Sequence, residues 1–420
     1  MTISELYKIY EEFPIICTDS RNIKQNSIFF ALKGENFNGN KFAKKAINDG
    51  CRYAVIDEQE YNNENCILVD NVKDTLQNLA EFHRDQLDLP VIGITGSNGK
   101  TTTKELLNSI LLSEYNCYCT KGNLNNQIGL PLSILEINKS HEIAIIEMGA
   151  SEIGEIKNLC RIAKPTSGLI TNIGKAHLEG FGSFEGVIKA KTELYHFLEE
   201  NNGMQFVNKN DDLLIKKSDK ENRITYGKES NSDFITKLTS SFPFISVKIK
   251  DTEIHSNLVG EFQYDNIVAA SCIGDFYNIS YQNIKKSIEE YIPRNNRTEL
   301  IETENNNIIL DAYNANPSSM EAIIASFIKL DKDNKMCILG EMRELGIYSE
   351  EEHQKLINLM ISSEIECIFV GEEFLNLTKK NTYLKISALI ENISNYNLKN
   401  RTILIKGSRG IKLEDVVKYL

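Results

Sequence analysis

"GITGSNGKTTTKELL", residues 93–107, sets a glycine-rich turn between an apolar run and a helical pattern. The run "VIGITG" reads as a strand. "KTTTKELLNSILL" reads as a helix with Leu106, Leu107, Ile110 and Leu111 on one side. Gly96, Ser97, Asn98 and Gly99 form the turn. Glycines let backbone N–H groups face an anion, and a helix N-terminus adds its dipole. Lys100 supplies a full charge, Thr101 is placed to hold Mg2+, and Thr102 continues the first turn. Five residues stand between Gly93 and Gly99, where the usual phosphate loop has four. A chance glycine turn is the competing reading, and the strand–turn–helix context argues against it.

The chain around this turn has 420 residues, enough for about three domains. Its 47 basic and 59 acidic residues give a net charge of −12, which disfavours nucleic acid as a partner. A local basic pocket for an anionic ligand remains compatible with that balance. Nine scattered cysteines, including the close pair Cys117 and Cys119, form no zinc pattern and read as reduced thiols. The first residues, "MTISELYKIYEEF", lack a basic start and an apolar run, and no stretch nears the ~20 apolar residues of a membrane span. A cytoplasmic protein without membrane insertion is the expectation.

Three α/β units are expected: residues 1–83, 84–294 and 295–420. The first carries "SIFFALKGENFNGNKFAKKAINDGCRYAVID" and a helix near 72–87. In the second, "VIGITG", "EIAIIEMG", "SGLITNIG" and "GMQFVNKND" are near-continuous apolar strands alternating with helices, the pattern of a parallel sheet covered on both faces. Residues 222–258 are more polar and alternating, and predict a small antiparallel patch. A polar hinge, "PRNNRTEL" (293–300), leads to strands "NNIILDAY", "KMCILGEM", "ECIFVG" and "RTILIKGS". Ligands of open α/β sheets bind at the carboxyl ends of strands.

Several polar residues stand at such ends. Glu147 follows "EIAII" and suits Mg2+ or its water, although a solvated strand end reads the same. His177 lies in the loop after "LITN", as a metal ligand or a structural histidine. Ser183 reads as a helix cap. In the helix that follows, Ile188, Lys191, Tyr195 and Leu198 share one face while Lys189 points elsewhere. Lys191 is either a snorkelling lysine or a functional one with a depressed pKa. "NKND" (208–211) has the Asn-Lys-x-Asp form of a guanine-recognition loop, but no Asp-x-x-Gly switch follows a strand before it.

Together, "TGSNGKTTT", "GNLNNQIGLPLSIL", "EMGASEIGEI", "TNIGKAHLEGFGS", "AKTEL", "NRTEL", "DAYNANPSSM", "LGEMRELG" and "KGSRG" resemble the Mur ligases over nearly the whole chain. The resemblance implies a small N-terminal UDP-substrate domain, a central P-loop-type ATPase domain on a mostly parallel sheet, and a C-terminal Rossmann-like domain. "DAYNANPSSM" and "LGEMRELG" resemble the branch that joins D-alanyl-D-alanine to UDP-N-acetylmuramoyl-tripeptide through an acyl phosphate, and argue against the branch adding the third residue and against folylpolyglutamate synthetases.

Implied cofactors are ATP and Mg2+. Lys100 and Thr101 match contacts to phosphate and metal, Glu147 and His177 match metal ligands, and Lys191 matches a lysine that the family carbamylates. Asn266 matches an adenine contact, and Arg297 and Asp311 match residues reaching the nucleotide from the hinge and C-terminal domain. Ser20 and Arg21 match the UDP-sugar site, Asn126 a muramoyl contact, and Asn314 and Asn316 the loop facing the dipeptide. Phe262-Gln263 stands where the family commonly has His-Asn, and Glu341 where Asp is frequent. A monomer that closes its domains on binding is implied.

Overall fold

The computed structural model describes residues 1–228, 230–241 and 243–420. Beside a two-stranded antiparallel ribbon of Lys33–Gly34 and Phe37–Asn38, three large sheets build the molecule among the described residues. The N-terminal one is parallel, in the order Ile16–Cys17, Ile28–Phe30, Tyr53–Ile56, Cys66–Leu68. The central sheet has nine strands, in the order Thr252–His255, Ser246–Ile249, Phe234–Ser240, Arg223–Gly227, Met204–Asn208, Ser167–Ile170, Val91–Thr95, Ile143–Glu147 and Cys117–Cys119. Its middle strands are buried end to end, which explains their unbroken apolar sequences. The C-terminal sheet runs Glu299–Glu302, Asn306–Asp311, Arg401–Lys406, Lys335–Gly340, Glu366–Val370, Thr382–Tyr383, parallel except for its first pair.

The antiparallel patch expected over 222–258 is present from Phe234 to His255, although the first strand of that range is not part of it. Arg223–Gly227 is a parallel member of the central sheet, and Phe234–Ser240 pairs parallel to its end before turning into an antiparallel meander. Asp233 makes the join: its carboxylate accepts from the Thr225 amide at 2.8 Å and from the Thr225 hydroxyl at 2.7 Å. The meander therefore extends the main sheet.

The helix Lys100–Leu111 buries the four predicted apolar residues against Gln263–Phe276. Ser183 caps Phe184–Glu200 by accepting from the Gly186 amide at 3.2 Å. In that helix Ile188, Lys191, Tyr195 and Leu198 are all buried, while Lys189 is exposed. No helix among the described residues is long and apolar enough to cross a membrane. All nine cysteines are free thiols.

The N-terminal unit shares a core with the central one, because Val72–Arg84 packs on Gly129–Leu135 and Glu155–Ala163. Arg84 seals this contact. Its guanidinium is buried and donates to the carbonyls of Ala163 (2.9 Å), Leu87 (2.7 Å), Leu89 (3.2 Å) and Lys164 (3.4 Å). Burial lowers its pKa, yet four carbonyls still compensate the charge. Arg84→Met should leave these acceptors unpaired and cost about 2–4 kcal/mol. A denaturant midpoint equal to wild type would contradict this.

Candidate functional site

A cleft of about 930 Å³ opens where the central and C-terminal units meet, with one wall reaching Lys73 of the N-terminal unit. Ser97, Asn98, Gly99, Lys100, Thr101, Thr102, Asn126, Glu147, His177, Asn266, Arg297, Asp311 and Asn314 line it. Residues predicted from distant parts of the chain thus face one space. Gly96, Lys191 and Asn316 stand behind its surface, and Ser20 and Arg21 lie elsewhere. Arg21 is exposed and forks onto Asp19 at 2.9 and 2.8 Å.

The turn at 96–99 depends on two glycines. Gly96 has φ +143°, and a Cβ there would collide with Thr171 Oγ1. Gly99 has φ +80°, and its Cβ would strike Asn266 Oδ1. The loop after Ser167–Ile170 clamps the turn. Asn172 accepts from the Ser97 amide through its carbonyl (2.9 Å) and from the Asn98 amide through Oδ1 (3.1 Å). The Thr171 hydroxyl (2.6 Å) and Asn172 Nδ2 (2.9 Å) both donate to the Asn98 carbonyl. Lys100 folds over the turn and donates to the carbonyls of Gly96 (2.7 Å) and Ser97 (3.1 Å). Burial lowers its pKa, against the attraction of Glu147.

Glu147 is buried at its strand end. It accepts from Thr101 Oγ1 at 3.0 Å and Asn125 Nδ2 at 2.7 Å, and Lys104 Nζ lies 3.5 Å away. Lys104 also donates to the carbonyls of Thr120 (2.7 Å) and Gly122 (3.2 Å). His177 has a left-handed backbone, φ +51°. Its Nδ1 lies 2.6 Å from Glu344 Oε2 of the C-terminal unit, without hydrogen-bond alignment.

The donor set fits a magnesium ion. Lys73, Lys100, Arg297 and Lys406 face five cleft carboxylates, Glu147, Glu155, Asp265, Asp311 and Glu344. The cleft is therefore not the basic pocket that the sequence left open, and a polyphosphate in it needs a further cation. Among the described residues no group of three His, Cys, Asp or Glu converges. That suits Mg2+, which takes one or two protein oxygens and completes its shell with phosphate and water. Thr101 and Glu147 supply such oxygens.

Lys191 lies beneath this region with 1% exposure. Its Nζ has one protein acceptor, the Ala150 carbonyl at 3.4 Å, and sits 5.3 Å from the Phe181 ring centre. Burial, then the Lys100 charge, push its pKa well down. The snorkelling alternative fails, since the amine does not reach solvent.

Asn266 is buried, accepts from the Thr103 hydroxyl at 3.1 Å and donates to Gln263 Oε1 at 2.7 Å. It braces the turn from below, with Gln263 as its partner. Asn126 Oδ1 is spent on the Ile128 and Gly129 amides, which leaves its Nδ2 toward the cleft. Asp211 caps Asp212–Lys217 and Asn208 bonds the Asn210 amide, so the Asn-Lys-x-Asp segment is a structural turn outside the cleft.

From the C-terminal side, the Arg297 guanidinium sits 3.6 Å from the Tyr313 ring centre, with Arg409 at 5.2 Å. Asp311 accepts from the Thr298 amide (3.2 Å) and from Lys406 Nζ (2.7 Å), and Lys406 also donates to the Asn314 carbonyl (3.0 Å). Asn295, Asn296 and Thr298 all have positive φ, so the hinge is strained. Lys104, Asn172, Glu344 and Lys406 were missed as site residues in the sequence. "KGSRG" and "LGEMRELG" contain two of them, but no local spacing marks their partners.

Asn316 does not face an open dipeptide site. It caps Pro317–Ile328 by accepting from the Ser319 amide at 2.9 Å, and its Nδ2 donates to Asn98 Oδ1 at 2.8 Å, while Asn98 Nδ2 reaches Asn316 Oδ1 at 3.4 Å. The phosphate-type turn is thereby tied to the C-terminal unit. Asn316→Ala should cost about 1–2 kcal/mol. Asn98→Ala and Asn316→Ala combined should cost less than their sum by at least about 0.5 kcal/mol in denaturant titrations. Strict additivity would deny the contact.

Comparison with known proteins matches three family models in chain order: "Mur ligase family, catalytic domain" over residues 12–87, "Mur ligase middle domain" over 94–274 and "Mur ligase, glutamate ligase domain" over 296–409. The chain is 34% identical to the UDP-N-acetylmuramoyl-tripeptide–D-alanyl-D-alanine ligase of Bacillus subtilis (strain 168), covering 98% of this chain and 94% of the relative. It is 30% identical to the ligase of the same name from Escherichia coli (strain K12), covering 96% and 93%. Among solved structures it resembles MurF from Acinetobacter baumannii (crystal structure I) with a TM-score of 0.87 and 28% identity, over 96% of this chain and 92% of that one. It also resembles MurF ligase from Thermotoga maritima in complex with ADP, with a TM-score of 0.83 and 28% identity, over 96% of both chains.

Proposed function

The chain belongs to the Mur ligase family, and from that membership we propose that it joins D-alanyl-D-alanine to UDP-N-acetylmuramoyl-tripeptide at the expense of ATP. The observation that carries the reading is the near-complete alignment with ligases of that name, at 34% identity over 98% of the chain. The site supports it, because one cleft gathers a phosphate turn, a buried carboxylate and residues of two further units. The product is the pentapeptide precursor of peptidoglycan. We further propose the boundaries 1–83, 84–294 and 295–420 for its domains, and a cytoplasmic, monomeric enzyme.

The first-turn amides after Gly99 have no intrahelical partners and would hold the phosphates of ATP, with Lys100 above them. Arg297 and Asp311 would reach the nucleotide from across the hinge, and Asn266 would hold the turn beneath it. Ser20 and Arg21 would meet the UDP end of the substrate. Asn126 would offer Nδ2 to the muramoyl part, and Asn314 would stand by the dipeptide. Thr101, Glu147 and His177 would hold Mg2+, which when bound offsets charge between the phosphates and an incoming carboxylate.

The tripeptide carboxylate attacks the γ-phosphorus, the bond to ADP breaks, and an acyl phosphate forms. The amine of the dipeptide then attacks the acyl carbon, phosphate leaves, and the nitrogen loses its proton. Lys100 stabilises charge on the transferred phosphoryl group. The Asn98–Asn316 contact keeps the C-terminal wall against the turn, which would exclude water from the acyl phosphate.

The test is ADP release from purified enzyme. Release should require both UDP-N-acetylmuramoyl-tripeptide and D-alanyl-D-alanine, with GTP a poor substitute; release without the dipeptide at the same rate would sink the reading. Lys100→Ala should lower turnover by about 10²–10³-fold with the fold intact by circular dichroism.

Lys191 is proposed to carry a carbamate. Its neutral amine adds CO₂, an N–C bond forms, one proton leaves, and a buried neutral amine becomes an anion beside the metal ligands. Lys191→Ala should lose about 10–100-fold or more in activity. Short carboxylic acids should restore part of it, while added bicarbonate should not. Wild-type activity of this variant in CO₂-depleted buffer would refute the assignment.

A further inference from the structure

The second substrate brings a primary ammonium group into the cleft, and something must receive it. Five carboxylates line that space. Glu147 is buried and taken by Thr101 and Asn125. Asp311 is taken by Lys406 and the Thr298 amide. Glu155 accepts from Gln127 Nε2 at 2.7 Å and from the Ser151 amide at 2.7 Å. Burial raises the pKa of Asp265, an effect that neighbouring Asn208 and Lys228 oppose. Glu344 differs: its side chain is 58% exposed, Oε2 approaches His177, and Oε1 takes no hydrogen bond from the described residues.

Its position is enforced. Glu344 and His177 both have left-handed backbones, φ +63° and +51°. The Glu344 carbonyl accepts from the Glu179 amide at 3.2 Å, which pins the C-terminal loop against the short helix that follows His177. Two non-glycine residues in that conformation persist only where their surroundings hold them. Gly174, Ser318 and Ala322, all small, also line the cleft, with Gly174 closed against Ser318.

We propose that Glu344 receives the ammonium of the incoming dipeptide through Oε1 and takes one of its protons, so that the neutral amine left behind faces the acyl carbon with its lone pair. This rests on the ligase reading above. A carboxylate supplied by the C-terminal unit makes amine binding conditional on the docking of that unit against the phosphate turn. A charge-assisted bond to a carboxylate also selects a free amine over an acylated one.

The test uses Glu344→Gln in the full chain, with Glu344→Asp beside it. KM for D-alanyl-D-alanine should rise about tenfold or more in the glutamine variant, with KM for ATP and for the UDP-substrate unmoved, and the aspartate variant should recover part of the loss. Hydroxylamine, an amine that is neutral at neutral pH, reports on the same acyl phosphate without offering an ammonium. Hydroxamate formation should therefore fall much less than dipeptide ligation. An unchanged dipeptide KM overturns the proposal. So does an equal fall in both reactions, which would mean that Glu344 serves only to orient His177. A wild-type enzyme that forms no hydroxamate from the UDP-substrate overturns the ligase reading and this proposal with it, and is distinguishable from either result.

Discussion

The turn from Gly96 to Gly99 can offer amides to an anion only while its carbonyls are bonded elsewhere. Thr171 and Asn172 meet that need: a hydroxyl and an amide both donate to the Asn98 carbonyl, and Lys100 covers those of Gly96 and Ser97. Because Thr171 follows the strand beside Val91–Thr95, the clamp is set by the register of two parallel neighbours, Ile170 opposite Thr95. Sheet register, loop curvature and anion capacity are thus one constraint. Asn266 meets it from the other side, filling the space a side chain at Gly99 would occupy.

The same turn is where the C-terminal unit docks. Asn98 pairs with Asn316, the Lys175 amide donates to Ser318 Oγ at 2.9 Å, and Lys175 Nζ reaches Glu352 at 2.8 Å. These contacts flank the turn rather than the distant hinge. The hinge itself concentrates positive φ at Asn295, Asn296 and Thr298. Behind the polar contacts lies an apolar one: Leu178, Phe181, Val187 and Ala190 share a buried core with Ala315, Met320, Met342 and Leu345 of the C-terminal unit, so separating the two units also exposes apolar surface.

Much of this was legible in the sequence because it was local. The strand–turn–helix at 91–111 and the cap at Ser183 each need only neighbours within one or two turns. The cleft-facing loops were legible too, since strand ends could be located and parallel sheets bind ligands there. What was not legible was partnership across distance. Asn316 read as a substrate contact, yet its amide is spent on a cap and on Asn98, 218 residues away. Lys406 sits opposite Asp311 through a strand pairing that no spacing announces. The cleft carries carboxylates as readily as the surface does, and Glu147, Glu155 and Asp311 are each held there by a donor from a distant part of the chain or a neighbouring loop.

Two buried lysines show how far that limit goes. Lys104 and Lys191 both lie in helices and both are almost fully buried, at 2% and 1% exposure. Lys104 is met by two carbonyls and stands 3.5 Å from Glu147, the company that a buried ammonium requires. Lys191 is met by one carbonyl at the limit of hydrogen bonding and by an aromatic ring, with no carboxylate in ion-pair reach among the described residues. An ammonium without a counter-charge is untenable there, and a neutral amine wastes a buried polar group unless chemistry converts it. Helix periodicity alone cannot tell these lysines apart. Their partners do, and the partners come from Glu147 and Ala150, on the strand and loop between the two helices.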